Sequence, residues 1–261
     1  MSAGPLAKRS AVVTGGGRGI GAAVALTLAQ AGARVVVTAR TRSEVERVAE
    51  ELGSSGGRAF AFAADLTDEA QVRALGAFAR ESVGAVDILV NNAGDSSSAP
   101  LDRIALEDWN RVMAANATTA FLCARELAPA MVARGFGRVI NIASLAGLEG
   151  ARYVSHYCAA KHAVIGLTRA LALELAGSGV TVNAVCPGYV STPMTERTLA
   201  NVQTRTGLGR GEALAAVLAT TGQDRLIAPE EVAAAALALC LDAAGETTGD
   251  AIVLRPAESR R

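Results

Sequence analysis

The stretch Ala11-Val12-Val13-Thr14-Gly15-Gly16-Gly17-Arg18-Gly19-Ile20-Gly21 passes from a β-branched strand pattern, through a glycine-rich turn, into a helical pattern that begins at Ile20. The same alternation recurs along the chain. Short apolar runs predict strands at Ala11–Thr14, Arg34–Thr38, Arg58–Ala63, Asp87–Asn91, Gly137–Ile142, Val180–Val185 and Ala251–Leu254. Ala/Leu-rich patterns between them predict helices near Ile20–Ala31, Ser43–Leu52, Asp68–Ser82, Leu106–Ala133, Tyr153–Leu175 and Pro229–Leu241. Alternating strands and helices of this kind build βαβ units, whose parallel strands are buried on both faces. The expected fold is α/β: a doubly wound, seven-stranded parallel sheet with helices on both faces. The breaks at Gly53–Gly57 and Asp95–Pro100 are loop-sized, so one domain is expected over residues 1–261. The segment Tyr189–Arg225 leaves the alternation. It is polar, Thr-rich and carries Gly207, Gly209 and Gly211, and a connection of that length predicts a lid over a binding site.

Composition narrows the function classes. Of 261 residues, 51% are hydrophobic and only 3% aromatic, with 27 glycines, so helices must pack closely on small-residue surfaces. Basic and acidic side chains balance at 25 each and are mixed along the chain. A nucleic-acid groove or an anionic-membrane surface needs a clustered basic excess, so neither partner is expected. No run of about 18 apolar residues is present, and Met1–Arg9 has no apolar stretch, so neither a membrane span nor a signal peptide is expected. The ten-residue apolar run Val232–Leu241 reads as a core helix. Cys123, Cys158, Cys186 and Cys240 lie far apart without a C-x-x-C pair. That spacing suits neither zinc nor a disulfide framework and points to reduced thiols in the cytoplasm.

Glycines after a first strand let an anionic group approach a helix N-terminus, where unpaired N–H groups and the helix dipole favour negative charge. The spacing here is G-x-x-x-G-x-G, which taken alone also fits a plain tight turn. The second strand ends Val37-Thr38-Ala39-Arg40. An acid at this place would grip the ribose 2′-OH of NAD, whereas arginine accommodates a 2′-phosphate. No acid stands here; Arg40 offers a permanent charge and Arg18 in the glycine turn a second one. These residues point to NADP(H). Surface arginines without a ligand remain the alternative.

Tyr157 and Lys161 are spaced i,i+4 and share one face of a predicted helix. A tyrosine hydroxyl titrates near pH 10, and a neighbouring ammonium favours its ionised form, so the pair makes an acid/base group. Ser144 follows the fifth strand, at the carboxyl edge where doubly wound sheets bind ligands. Asn116 falls inside the preceding long helix.

In this order, Thr14-Gly15-x-x-x-Gly19-Ile20-Gly21, Asp65-Leu66, Asn91-Asn92-Ala93-Gly94, Asn116, Ser144, Tyr157-x-x-x-Lys161 and Pro187-Gly188 resemble the short-chain dehydrogenase/reductase family, from about Lys8 to Leu254. The resemblance implies a Rossmann-type fold and assigns roles residue by residue. Tyr157 would exchange the proton and Ser144 would hold the substrate oxygen. Lys161 would lower the tyrosine pKa and bind the nicotinamide ribose, while Asn116 would anchor a proton-relaying water. Gly15, Gly17, Arg18, Gly19 and Ile20 would cradle the pyrophosphate end, and Arg40 the 2′-phosphate. Asp65 and Leu66 would border the adenine, Asn92-Ala93-Gly94 would line the cofactor, and Pro187, Gly188, Val190 and Thr192 would close over the carboxamide. For single residues other readings stay open: Ser144 as a turn former, Asn116 as a cap or a bridge across a helix distortion, and Asp65 as an N-cap, although Asp68 suits that better.

His156 and His162 lack a second ligand at helical spacing, so no metal site is expected and both read as packing or surface residues. Cys158 and Cys186 lack a base partner. The C-terminus departs from the family, with Arg255-Pro256-Ala257-Glu258 where many relatives carry an Asp-Gly-Gly turn. The resemblance further implies a homotetramer and a small carbonyl or alcohol substrate. Reduction of a 3-oxoacyl or polyketide-type ketone fits, with an NAD-dependent 3-hydroxybutyrate or 3-hydroxyacyl dehydrogenase as the alternative. A sugar-nucleotide epimerase or dehydratase shares Tyr-x-x-x-Lys, but too little chain follows Val185 for its substrate domain. A silent cofactor-sensing protein would not need all four of Asn116, Ser144, Tyr157 and Lys161.

Overall fold

The computed structural model describes residues 4–54 and 56–256; Ala257 and Glu258, in the C-terminal departure noted above, lie outside that range. Strands β1 (Ser10–Thr14), β2 (Arg34–Ala39), β3 (Arg58–Ala63), β4 (Ile88–Asn91), β5 (Gly137–Ile142), β6 (Val180–Pro187) and β7 (Ala251–Leu254) form one sheet. Its order is β3-β2-β1-β4-β5-β6-β7, and every pairing is parallel. The chain builds outward from β1 to β3 on one side, then crosses to β4 and continues to β7. The reversal between β1 and β4 leaves a crevice at their carboxyl ends, where ligands of such sheets bind.

Valine alternation sets the two faces. Val13, Val35 and Val37 point into a core closed by α1 (Gly19–Gln30), α2 (Arg42–Ser54) and α9 (Pro229–Cys240). Val12 and Val36 point into the opposite core, closed by α3 (Glu69–Val83), α5 (Thr119–Arg134) and α6 (Ser155–Glu174). Both faces are covered, so both sets of side chains are apolar. Helix α1 approaches β1 so closely that a Cβ on Gly21 would lie 2.3 Å from the Gly15 carbonyl oxygen.

Three expectations need correction. The helix read over Leu106–Ala133 is α4 (Leu106–Met113), a π turn (Ala114–Thr118) and α5. In that wider turn the Asn116 side chain donates to the Val112 carbonyl at 2.8 Å, taking an acceptor of the ordinary helical ladder. The next helix starts at Ser155 and not at Tyr153, whose φ of 67° lies in the left-handed region. Finally, Tyr189–Arg225 is no irregular loop. It carries α7 (Pro193–Thr206) and α8 (Arg210–Ala219). Thr192 caps α7, Pro193 opens it, and Gly207 at φ 73° ends it. Glu212 accepts from the Gly209 N–H at 3.0 Å and starts α8.

Candidate active site

The crevice is walled by Gly15, Gly17, Arg18, Gly19 and Ile20 from the first turn, by Arg40 and Thr41 after β2, and by Asp65 and Leu66 after β3. Asn92, Ala93 and Gly94 after β4 and Thr192 from the lid complete it. Thr14 and Asn92 weld the two central turns. The Thr14 hydroxyl accepts from the Asn92 and Ala93 N–H groups, each at 3.0 Å. Asn92 Nδ2 in turn donates to the carbonyls of Thr14 at 2.9 Å and Gly15 at 3.1 Å. Arg18, the N-cap of α1, supplies no side-chain acceptor and the first turn holds no acid. Helix α1 thus brings no carboxylate of its own to its N-terminal N–H groups, which suits an anionic group there. Asp65 accepts from Thr67 N and Oγ1 at 3.0 and 2.7 Å, while Asp68 caps α3 through Ala70 N at 2.8 Å.

The two arginines of this end are not equivalent. Among the described residues Arg40 has no ion pair or side-chain hydrogen bond. Arg18 instead pairs with Glu44 at 3.1 Å, which corrects the picture of two independent charges. Glu44 sits in the first turn of α2, where the helix dipole favours an acid, and lines the same crevice.

Behind Gly94 lie two buried polar side chains, Asn116 and Lys161. Asn116 is buried, and its Nδ2 donates to the carbonyls of Val112 and Asp95, each at 2.8 Å. Its Oδ1 has no partner among the described residues and lies 2.5 Å from where a Gly94 Cβ would stand. Lys161, also buried, donates to the Ile142 carbonyl at 2.8 Å, and its Nζ is 3.7 Å from that same Gly94 position. Ser144 follows β5, its Oγ accepting from Ala146 N at 3.1 Å. Tyr157 and Lys161 ride on α6, which a buried chain fixes to the sheet. Asn91 Nδ2 donates to Asn141 Oδ1 at 2.9 Å, and Asn141 Nδ2 to Thr168 Oγ1 at 2.8 Å. Asn141 and Thr168 had no expected role of their own; polar residues inside the apolar β4 and β5 were the sign.

Burial dominates the titration of this group. It pushes the Tyr157 phenol up to about 12, with the Ser144 hydroxyl pulling the other way, and holds the Lys161 amine down at about 8. Each is driven toward its neutral form. Desolvation is the leading effect on both.

Pro187 ends β6, and Gly188 and Val190 follow it. They form the root of the lid, where Val190 bridges to Ile227. Gln223, unanticipated, clamps this root. Its Oε1 accepts from Tyr189 N at 2.7 Å and its Nε2 donates to Tyr189 O at 3.1 Å and Arg225 O at 3.2 Å. His156 is buried, its Nε2 2.7 Å from Ser97 Oγ, and His162 is exposed. No His/Cys/Asp/Glu group among the described residues could hold a metal ion.

The family of short chain dehydrogenases matches residues 9–203. The chain is 39% identical over 245 residues to a D-beta-hydroxybutyrate dehydrogenase of Rhizobium meliloti, covering 92% of this chain and 95% of that one. It is 43% identical over 192 residues to a 3-oxoacyl-[acyl-carrier-protein] reductase of Synechocystis sp., covering 73% and 78%. A variant of actinorhodin polyketide ketoreductase crystallised with NADPH superposes with a TM-score of 0.91 at 36% identity, covering 97% and 98%. The chain belongs to the short-chain dehydrogenase family and is an oxidoreductase.

Proposed function

We propose that the chain is an NADP(H)-dependent oxidoreductase interconverting a ketone and a secondary alcohol. The observation that carries this reading is that the unpartnered Asn116 Oδ1 and the Lys161 amine, itself 5.8 Å from the Tyr157 ring, stand behind Gly94 of a crevice whose far end presents Arg40, unpaired among the described residues. A dinucleotide fits the residues present: glycines that tolerate no Cβ, a helix whose own first turn holds no acid, and a guanidinium without a partner among the described residues. Arg40 would receive the 2′-phosphate, the α1 turn the pyrophosphate, and Asn92-Ala93-Gly94 the central part. When bound, the nicotinamide supplies or accepts the hydride.

The chain's own residues handle the proton and the oxygen. Tyr157, neutral at physiological pH, donates its hydroxyl proton to the substrate oxygen in the reductive direction and recovers it in the oxidative one. Ser144 donates a second hydrogen bond to that oxygen, and two aimed donors in a desolvated site stabilise charge developing there. Lys161 and Asn116 replenish the proton from behind Gly94. A 3-oxoacyl or polyketide-type ketone is the substrate class, supported by the reductases the chain resembles.

The four cysteines are buried and unpaired, in keeping with a reducing cytoplasmic setting, and among the described residues no helix is long and apolar enough to cross a membrane. Exposed Leu106, Trp109, Phe121 and Leu173 on α4–α6 favour assembly through those helices, as a homotetramer. The test is NADPH consumption by the purified protein against acetoacetyl thioesters, cyclic diketones and aryl ketones. Turnover of one class with NADPH is the expected result; nucleotide consumption with none of them would remove the reading.

A further inference from the structure

The adenosine end of the crevice carries a carboxylate that the cofactor reading does not need. Glu44 stands among Gly17, Arg18, Arg40 and Thr41 on the crevice wall. It is tucked under the glycine turn, since a Cβ on Gly17 would meet Glu44 Cβ at 2.8 Å and its Oε2 at 3.2 Å. From there it holds the Arg18 guanidinium at 3.1 Å. Arg47, on the next turn of α2, is likewise engaged, with Glu51 at 2.6 Å and the Gly17 carbonyl at 3.0 Å. Arg40 alone is left unpaired.

We propose that Glu44 is a specificity-determining residue: by occupying Arg18 it leaves a 2′-phosphate with Arg40 as its sole free guanidinium, and so tempers the preference for NADP(H) over NAD(H). This rests on the cofactor reading above. A phosphate carries nearly two charges and is bound best by planar, bidentate guanidinium groups. A second arginine released to it would add a charge-assisted bond, whereas Glu44 both withholds that arginine and places a like charge beside the phosphate. NAD(H), with a 2′-hydroxyl, meets neither effect. The Arg18–Glu44 pair is solvent-accessible, with Arg18 56% exposed and Glu44 30%. Pairs of that kind are worth little in water, so the tether is one that a single substitution can undo without unfolding the chain.

The test is calorimetric titration of NADPH and of NADH into the native protein, Glu44→Gln, Arg18→Ala and the double variant. Glu44→Gln is expected to bind NADPH roughly three- to tenfold more tightly, the range set by one exposed ion pair and one charge-assisted bond, with NADH affinity unchanged. Removing Arg18 as well is expected to cancel the gain, because the gain runs through that side chain. NADPH affinity that is unchanged or weaker in Glu44→Gln, or a gain that survives the loss of Arg18, would overturn the proposal while leaving the cofactor reading intact. A native protein that binds NADPH no better than NADH, together with Arg40→Ala having no effect on either, would instead sink the cofactor reading.

Discussion

The Lys161 ammonium stands 5.8 Å from the centroid of the Tyr157 ring and gives a hydrogen bond to the Ile142 carbonyl at 2.8 Å. Amine and phenol therefore share one buried space at the end of β5, and burial drives both toward neutrality. The phenolate and the ammonium are each costly to form in that space.

Stability above neutral pH reports on this pair. Burial lowers Lys161 from 10.5 to about 8. Below pH 8 the amine is charged in folded and unfolded chains alike and the desolvation cost is carried in full. Between 8 and 10.5 the folded chain releases the proton first, so stability rises with pH. Tyr157 acts in the opposite sense: its folded value of about 12 lies above the ordinary 10, so the unfolded chain loses its proton first and stability falls from pH 10 to 12. The one other lysine, Lys8, is exposed. Thermal unfolding across this range should show the native protein gaining relative to Lys161→Met between pH 8 and 10.5; parallel curves would contradict the burial account.

Gly94→Ala tests the close approach behind the crevice. The new methyl would lie 2.5 Å from Asn116 Oδ1, so Asn116 must shift and weaken its bonds to Val112 and Asp95. Overpacking of this kind costs about 1–3 kcal/mol. Urea denaturation should show that loss, with turnover falling by a larger factor than stability would explain, since Lys161 lies on the same side. A variant as stable and active as the native protein would show that the contact is slack.

Gln223→Leu keeps the volume of the lid clamp but removes its bonds. It leaves the Tyr189 N–H without its partner and takes one bond each from the Tyr189 and Arg225 carbonyls, the former keeping the Ile227 N–H at 2.9 Å. The unpaired Tyr189 N–H, only part-buried, sets the cost at the low end of about 1–3 kcal/mol. The lid root should loosen, and trypsin should cut after Arg197, Arg205 or Arg210 faster than in the native protein. Unchanged cleavage rates would place the lid's anchorage elsewhere.

The contrast between what the residues disclosed and what they hid follows from the range of the interactions. The strands were legible because each valine run is buried on both faces, and the first turn because Gly15 and Gly21 meet at backbone distance. The π turn was visible only as one of the readings open for Asn116, a bridge across a helix distortion, since widening one turn leaves the apolar periodicity of Leu106–Ala133 nearly intact. Helix α7 was obscured by its threonines. In α7 these fold back on their own backbone, Thr198 to Met194 O at 3.2 Å and Thr206 to Val202 O at 2.7 Å, and so satisfy themselves within the helix. Their caps, Thr192-Pro193 and Gly207, were in plain view. The Arg18–Glu44 pair and the Gln223 clamp join residues far apart in the chain, and no local pattern encodes such partners.

The most direct test replaces the phenol alone. In Tyr157→Phe the ring and its burial remain while the exchangeable proton is gone. Turnover of the preferred ketone should fall by about 10²–10⁴, the range for loss of a positioned acid/base, with NADPH affinity within about twofold of native. Turnover that survives the substitution would contradict the assignment of Tyr157 as the proton donor.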